Sequence, residues 1–184
     1  MSGEFGVFGG SFDPPHIGHV LLAAYALSAH RLERILVVPT FAHAFGKPLS
    51  PFEDRLHMCE LAFADLRRIE LSNIEQQLPV PSRTVRTLEA LAERYPGAQL
   101  RLLMGSDLVP ETHGWYQFAR VAQLAPLLVV QRSGHAGGDD QEPALPNVSS
   151  TEIRRRLGAG VSTQGLLNPR VDDYARAHGL YRRS

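Results

Sequence analysis

The residues Gly9-Gly10-Ser11-Phe12-Asp13-Pro14-Pro15-His16-Ile17-Gly18-His19 carry the strongest chemical signal in the chain. Two adjacent glycines let a backbone approach a phosphate with no side chain in the way, and Asp13-Pro14-Pro15 makes a rigid turn. A helix beginning near Ile17 turns its free N–H groups and the positive end of its dipole towards one point, which is an anion site. His16 and His19 are three apart, so both can face one ligand from the first helical turn and donate to its phosphate oxygens. This combination suits a polyphosphate. Gly6, Gly9 and Gly10 miss the G-x-G-x-x-G spacing of a dinucleotide fingerprint, and no G-x-x-x-x-G-K-[ST] occurs. No nearby Cys, Asp or third His completes a metal set with the two histidines. An inert turn punctuated by Gly and Pro remains the plain alternative.

A second candidate lies at Ser149-Ser150-Thr151-Glu152-Ile153-Arg154. The S-x-x-E spacing of Ser149 and Glu152 predicts a capping box, hence a new helix start with its own set of N–H donors. Arg154 lies beside that start, and its planar fork can hold two phosphate oxygens at once. A capped surface helix with solvated arginines is the alternative.

Both motifs need elements to position them. Residues 4–8 read as a buried strand stopped by the glycines, 18–30 as a helix packed on a sheet, and 34–39 as the next strand. Residues 51–64 and 82–95 read as helices, 69–71 as a weak strand, and 100–104 and 127–130 as continuous apolar strands of the kind covered on both faces. Strands alternate with helices, so the expected fold is α/β: one domain over 1–184 with a doubly wound, mostly parallel sheet and helices on both faces. In such sheets ligands sit beyond the carboxyl ends of the strands, where both motifs fall. Residues 133–147, rich in Gly, Asp and Pro, read as a surface loop.

Composition narrows the function. Lys plus Arg and Asp plus Glu are equal at 19 each, which gives no global pull towards nucleic acid or anionic lipid, and the partner expected is a small molecule. From Thr151 onward seven Arg face three acids, a local excess that reads either as a basic wall for phosphates or as a solvated face. The apolar stretch from Val20 to Ala29 is far short of a bilayer span. With a single cysteine and no signal-peptide pattern at the first residues, the expected location is the cytoplasm.

G-G-S-F-D-P-P-H-I-G-H followed by S-S-T-E-I-R resembles the adenylyltransferase superfamily with an H-x-G-H signature, a Rossmann-like nucleotidyltransferase fold. Within it the chain is similar to the bacterial nicotinate-nucleotide adenylyltransferases, through P-S-R-T-V-R-T-L at 81–88, G-S-D at 105–107, G-W-Y at 114–116 and G-L-Y at 179–181. The resemblance implies transfer of AMP from ATP to nicotinate mononucleotide, giving deamido-NAD and pyrophosphate in NAD biosynthesis. It implies Mg²⁺ as cofactor, held mainly by phosphates and water with no dedicated metal residues. His16, His19 and Arg154 would act on the ATP phosphates, with Gly9, Gly10, Ser11, Phe12, Gly105, Ser150 and Thr151 around ATP and Asp107 on its ribose. Trp115 and Tyr116 would flank the pyridine ring, with Thr84 near its carboxylate. Two departures stand out. The family's P-P-H-K type loop after the second strand is Thr40-Phe41-Ala42-His43-Ala44-Phe45-Gly46-Lys47 here, where His43 and Lys47 could reach phosphate from a closing lid. An aromatic residue before the Thr of the third helix is replaced by Arg83, a candidate contact to the mononucleotide. The alternatives are a nicotinamide-mononucleotide, cytidylyl or pantetheine-phosphate enzyme, or a silent nucleotide-binding module.

Overall fold

The alternating apolar runs resolve into five parallel strands. The computed structural model of the chain describes residues 3–133 and 144–182. β1 (Glu4–Gly10), β2 (Leu32–Pro39), β3 (Ile69–Leu71), β4 (Gln99–Gly105) and β5 (Leu127–Val130) lie in the order β3-β2-β1-β4-β5. Parallel neighbours need crossovers, which helices supply. The crossovers carry α1 (Ile17–Ala29), α2 (Phe52–Phe63), α3 (Thr84–Arg94) and α4 (Phe118–Leu124), and α5 (Ser150–Gly158) and α6 (Pro169–Ala177) follow β5.

Alternation along the strands feeds two cores. Phe5, Val7, Leu36, Val38, Leu102 and Met104 pack with residues of α3 and α4 on one face. Phe8, Ile35, Val37, Leu103 and Leu128 pack with residues of α1, α2, α5 and α6 on the other. Coverage of both faces is why the strands read as unbroken apolar runs, and it makes the sheet doubly wound. The chain leaves β1 for β2 on one side and returns after α3 to β4 on the other. Connections from the carboxyl ends of β1 and β4 therefore diverge, which opens the crevice where ligands bind in such folds.

The expected elements end within two residues of their observed limits. Four others escaped the periodicity: α4, α6 and the 3-10 turns at Ile74–Gln77 and Ser106–Gly114. α4 is seven residues long, follows a left-handed Gln117 and fully buries only Val121. α6 carries a good start signal, Pro169 after an Asn168 whose side chain accepts from the Arg170 N–H at 2.9 Å, but its charged residues hide the stripe formed by Val171 and Ala175. Of the expected loop at 133–147, residues 134–143 lie outside the described residues. The backbones flanking them meet, since Arg132 bridges Leu145.

Candidate active site

β1 runs on to Gly10, where the carbonyl accepts from the Thr40 N–H at 2.9 Å. The two glycines do different work. A Cβ on Gly9 would stand in open space, whereas one on Gly10 would press on the Phe12 ring at 3.2 Å. Gly9 is thus the close-approach position, and Gly10 makes room for Phe12. Phe12 is 1% exposed, its ring packed edge-on against Phe8, Phe63 and His19, so its side chain belongs to the core.

The His16 and His19 rings stack with centroids 3.7 Å apart. The His16 backbone N–H donates to His19 Nδ1 at 3.1 Å, so a neutral His19 carries its proton on Nε2 and remains a donor. Burial, then the Arg132 charge, lowers the His16 pKa to about 3. Burial, then His16 and Arg132, holds His19 well below the usual histidine range. Both rings are therefore neutral at physiological pH and can stabilise an oxyanion as hydrogen-bond donors. The start of α1 offers fewer amides than the helix-start argument supposes. The Ile17 N–H is taken by the Leu166 carbonyl at 2.9 Å, and that of His19 by the His16 carbonyl at 2.9 Å.

The second motif closes directly on the first. Ser150 Oγ donates to the Pro14 carbonyl at 3.0 Å, and Arg154 donates to the Asp13 carbonyl at 2.6 Å and to Thr151 Oγ1 at 3.2 Å. Ser149 caps α5 by accepting from the Glu152 N–H at 3.2 Å. The reciprocal half of the expected box is missing, because the Glu152 carboxylate turns instead to Arg155 and Arg156, whose hydrogen bonds lower its pKa to about 2. The basic wall likewise thins: Arg155 and Arg156 pair with Glu152, Arg176 with Asp172, and Arg170 with Asp65, while Arg182 donates to the Arg176 carbonyl at 3.5 Å and Arg183 lies outside the described residues, which leaves Arg154 as the arginine that reaches the first motif.

At the carboxyl ends of β4 and β5 a further pair faces the histidines. Arg132, 8% exposed, binds Asp107 Oδ2 at 2.9 Å, and its N–H donates to Ser106 Oγ at 3.0 Å. A Cβ on Gly18 would lie 3.0 Å from the Arg132 guanidinium and 3.1 Å from the His16 ring, while one on Gly105 would collide with Asp107 Oδ1 and the Arg132 stem. Arg132 therefore spans the gap from His16 to Asp107, in space that both glycines keep open. His16 Nδ1, Asp107 Oδ1 and Arg132 Nε, all buried, have no hydrogen-bond partner among the described residues. Buried polar atoms are nearly always paired, so three orphans along one wall point to a polar ligand. Arg132 escaped the sequence reading, although a charged residue just past a buried apolar strand is a usable signal.

A second group forms at the start of α3. Arg83 precedes Thr84, and its guanidinium stands 5.5 Å from the centroid of the half-exposed Tyr116 ring. Trp115 is half-buried, packed on the core beneath α3 and α4 and edge-on to Phe118. The 40–47 loop is fastened at its base. The Phe41 N–H donates to buried Glu75 at 2.9 Å, and Ala42 and Ser82 exchange hydrogen bonds. Its outer half is free: Phe45 is 70% exposed, Lys47 is exposed, and His43 accepts from the Phe45 N–H at 3.2 Å.

Stacked neutral histidines at a switch point, beside a loop held by an arginine from a second helix start, define a nucleotidyltransferase of the doubly wound type. A family model described as cytidylyltransferase-like matches residues 7–156. The chain belongs to the nicotinate-nucleotide adenylyltransferase family within that group. A protein described as a probable nicotinate-nucleotide adenylyltransferase from Anaeromyxobacter dehalogenans strain 2CP-1 is 44% identical over 99% of this chain and 100% of its own length. Another so described, from Thermus thermophilus, is 37% identical over 97% of this chain and 100% of its own. The solved nicotinic acid mononucleotide adenylyltransferase of Plasmodium falciparum, complexed with NaAD, shares the fold with a TM-score of 0.83 at 19% identity, covering 97% of each chain.

Proposed function

We propose that the chain transfers AMP from ATP to nicotinate mononucleotide, releasing pyrophosphate and forming deamido-NAD. The observation that carries this reading is the wall of orphaned polar atoms, His16 Nδ1, Asp107 Oδ1 and Arg132 Nε, beside the loop that Arg154 closes. The ATP phosphates lie over Gly9, Ser11 and the Phe12 backbone. His19 Nε2–H, His16 and Arg154 donate to their oxygens, joined by the Ser150 and Thr151 N–H groups. Asp107 Oδ1 accepts from the ribose, and Gly105 gives the nucleoside room. Thr84, Arg83, Trp115 and Tyr116 receive the mononucleotide, and His43 and Lys47 approach its phosphate as the outer half of the 40–47 loop closes.

The acceptor 5′-phosphate attacks the α-phosphorus in line, a P–O bond forms, and the bond to the β-phosphate oxygen breaks. No covalent enzyme intermediate is required. Positioning and neutralisation of charge on the transferring and leaving oxygens carry such reactions. Mg²⁺ held mainly by phosphates and water fits this donor set, because both Asp13 carboxylate oxygens are engaged by Tyr181 and Ser50. Bound there, it would offset charge on the polyphosphate. Among the described residues no helix is long and apolar enough to cross a membrane, and a cytoplasmic site of action accords with the single cysteine.

Nicotinate differs from nicotinamide by a carboxylate on the ring, and Arg83 beside Tyr116 supplies a matching charge. One charge-assisted hydrogen bond contributes about 1.5 to 3 kcal/mol, or roughly tenfold to 150-fold in preference. The two dinucleotides, quantified separately with both mononucleotides competing for limiting enzyme, are expected to show kcat/KM favouring the acid by at least that lower factor. Equal values, or preference for the amide, would overturn the acceptor assignment and leave nucleotidyl transfer standing.

A further inference from the structure

Asp13 is only 3% exposed, yet both of its carboxylate oxygens are held by residues outside the two motifs. Tyr181 Oη donates to Oδ1 at 2.7 Å, and the Ser50 N–H donates to Oδ2 at 3.2 Å. Behind them stands Arg55, 1% exposed although its neighbours on α2 are apolar. Its Nε donates to the Ser50 carbonyl at 2.9 Å and its Nη1 to the Ser11 carbonyl at 2.9 Å, while the guanidinium faces the Phe52 ring. The Ser11–Asp13 segment is thus gripped from three directions: by α2 through Arg55, by α5 through Arg154, and by Tyr181 beyond α6. A buried arginine and a half-buried tyrosine spent on a short loop are an expensive way to hold an inert turn, since the guanidinium must have its polar atoms matched.

We propose that Tyr181 and Arg55 are positioning residues for ATP: neither touches the nucleotide, and together they fix the Ser11–Asp13 backbone on which the phosphates rest. This rests on the reading that this loop is the ATP phosphate site. Arg55 sets the Ser11 carbonyl, and with it the direction of the Phe12 N–H. Tyr181 fixes the Asp13 carboxylate, which holds Ser50 and the chain leading into α2. The mononucleotide group at Arg83, Thr84 and Tyr116 shares none of these contacts, so the effect falls on one substrate.

The test compares Tyr181→Phe with Tyr174→Phe. Tyr174 Oη donates to Asp54 Oδ1 at 2.8 Å, joining α6 to α2, which is the same chemistry at a place that holds no loop of the site. In Tyr181→Phe the Kd for ATP, read by calorimetry without acceptor, and the ATP KM are expected to rise about tenfold, the equivalent of one hydrogen bond at roughly 1.4 kcal/mol, with the mononucleotide KM within about twofold of wild type. Tyr174→Phe is expected to lower the melting temperature and leave ATP affinity alone. Arg55→Lys keeps the charge and loses the two-carbonyl grip, so it should reproduce the ATP-specific loss, and it decides the question should Tyr181→Phe not fold. Unchanged ATP affinity in the folded variants, or an equal loss in Tyr174→Phe, overturns the proposal. A wild-type chain that binds ATP and makes no dinucleotide would sink the acceptor reading alone, because the calorimetric comparison stands without it.

Discussion

His16, Gly18 and Arg132 occupy one small volume, and the glycine is what lets the other two share it. A methyl group at Gly18 would sit at 3.0 to 3.1 Å from both neighbours, tighter than ordinary contact, so a ring or the guanidinium must shift. In the first turn of α1 the same methyl favours the helix, by up to about 1 kcal/mol. Gly18→Ala is therefore expected to keep or raise the melting temperature while kcat/KM for ATP falls roughly tenfold to a hundredfold, the scale of a sub-ångström to ångström misplacement of donors. Normal turnover in a stable variant would show that the pair tolerates displacement. The histidines, Arg154 and Ser150 were legible because local spacing alone puts them at helix starts. Arg55 and Tyr181 were not, since their partners Ser11 and Asp13 are distant in sequence. A charge on the apolar stripe of α2, with Phe52 three before it and Cys59 four after it, was the one available hint.

Among the elements, α3 has two tasks. Its face of Val85, Leu88 and Leu91 seals one side of the sheet, and its first turns fasten the 40–47 loop. Thr87 Oγ1 donates to Glu75 Oε1 at 2.9 Å, while Oε2 of the same buried carboxylate accepts from the Phe41 N–H. Thr87→Val keeps the shape and strands Glu75 Oε1. The expected cost is about 1 to 3 kcal/mol in urea denaturation, with a raised mononucleotide KM as the base of the loop loosens. A loss below about 0.5 kcal/mol would mean that water replaces the hydroxyl. Periodicity revealed α3 because its apolar stripe is regular, and it revealed the strands because both faces are covered. It missed the 3-10 turn at Ser106–Gly114, which sets Asp107 in place, because nine residues with Pro110 inside and only Ser106 and Thr112 buried leave no stripe to read.

For the molecule as a whole, two histidines held neutral by burial tie stability to pH. Their folded pKa values lie below 6.5, so the unfolded chain takes up protons more readily. Their contribution is complete above that pH and is lost as pH falls towards the folded values, about 3 for His16. Between pH 6.5 and 5.5 the loss is about 1 kcal/mol for His16, and His19 acts in the same direction, before most carboxylates titrate. Urea midpoints of the wild type should fall over this interval more steeply than those of a His16→Gln/His19→Gln double variant. Parallel curves would show that the folded rings are charged.

The Asp13–Tyr181 bond joins residues 168 positions apart, and Arg154 reaches Asp13 across 141. At roughly 5 to 20 residues per second, a ribosome making this chain finishes Asp13 about 8 to 34 seconds before it adds Tyr181. During that interval β1, β2 and their helix can already form, while the loop that follows β1 lacks two of its three restraints. Nucleotide affinity should therefore arrive late in synthesis, when the last segment threads back onto the first. A nascent chain stalled short of Arg154 would carry the residues of all five strands and, of the three restraints on that loop, Arg55 alone.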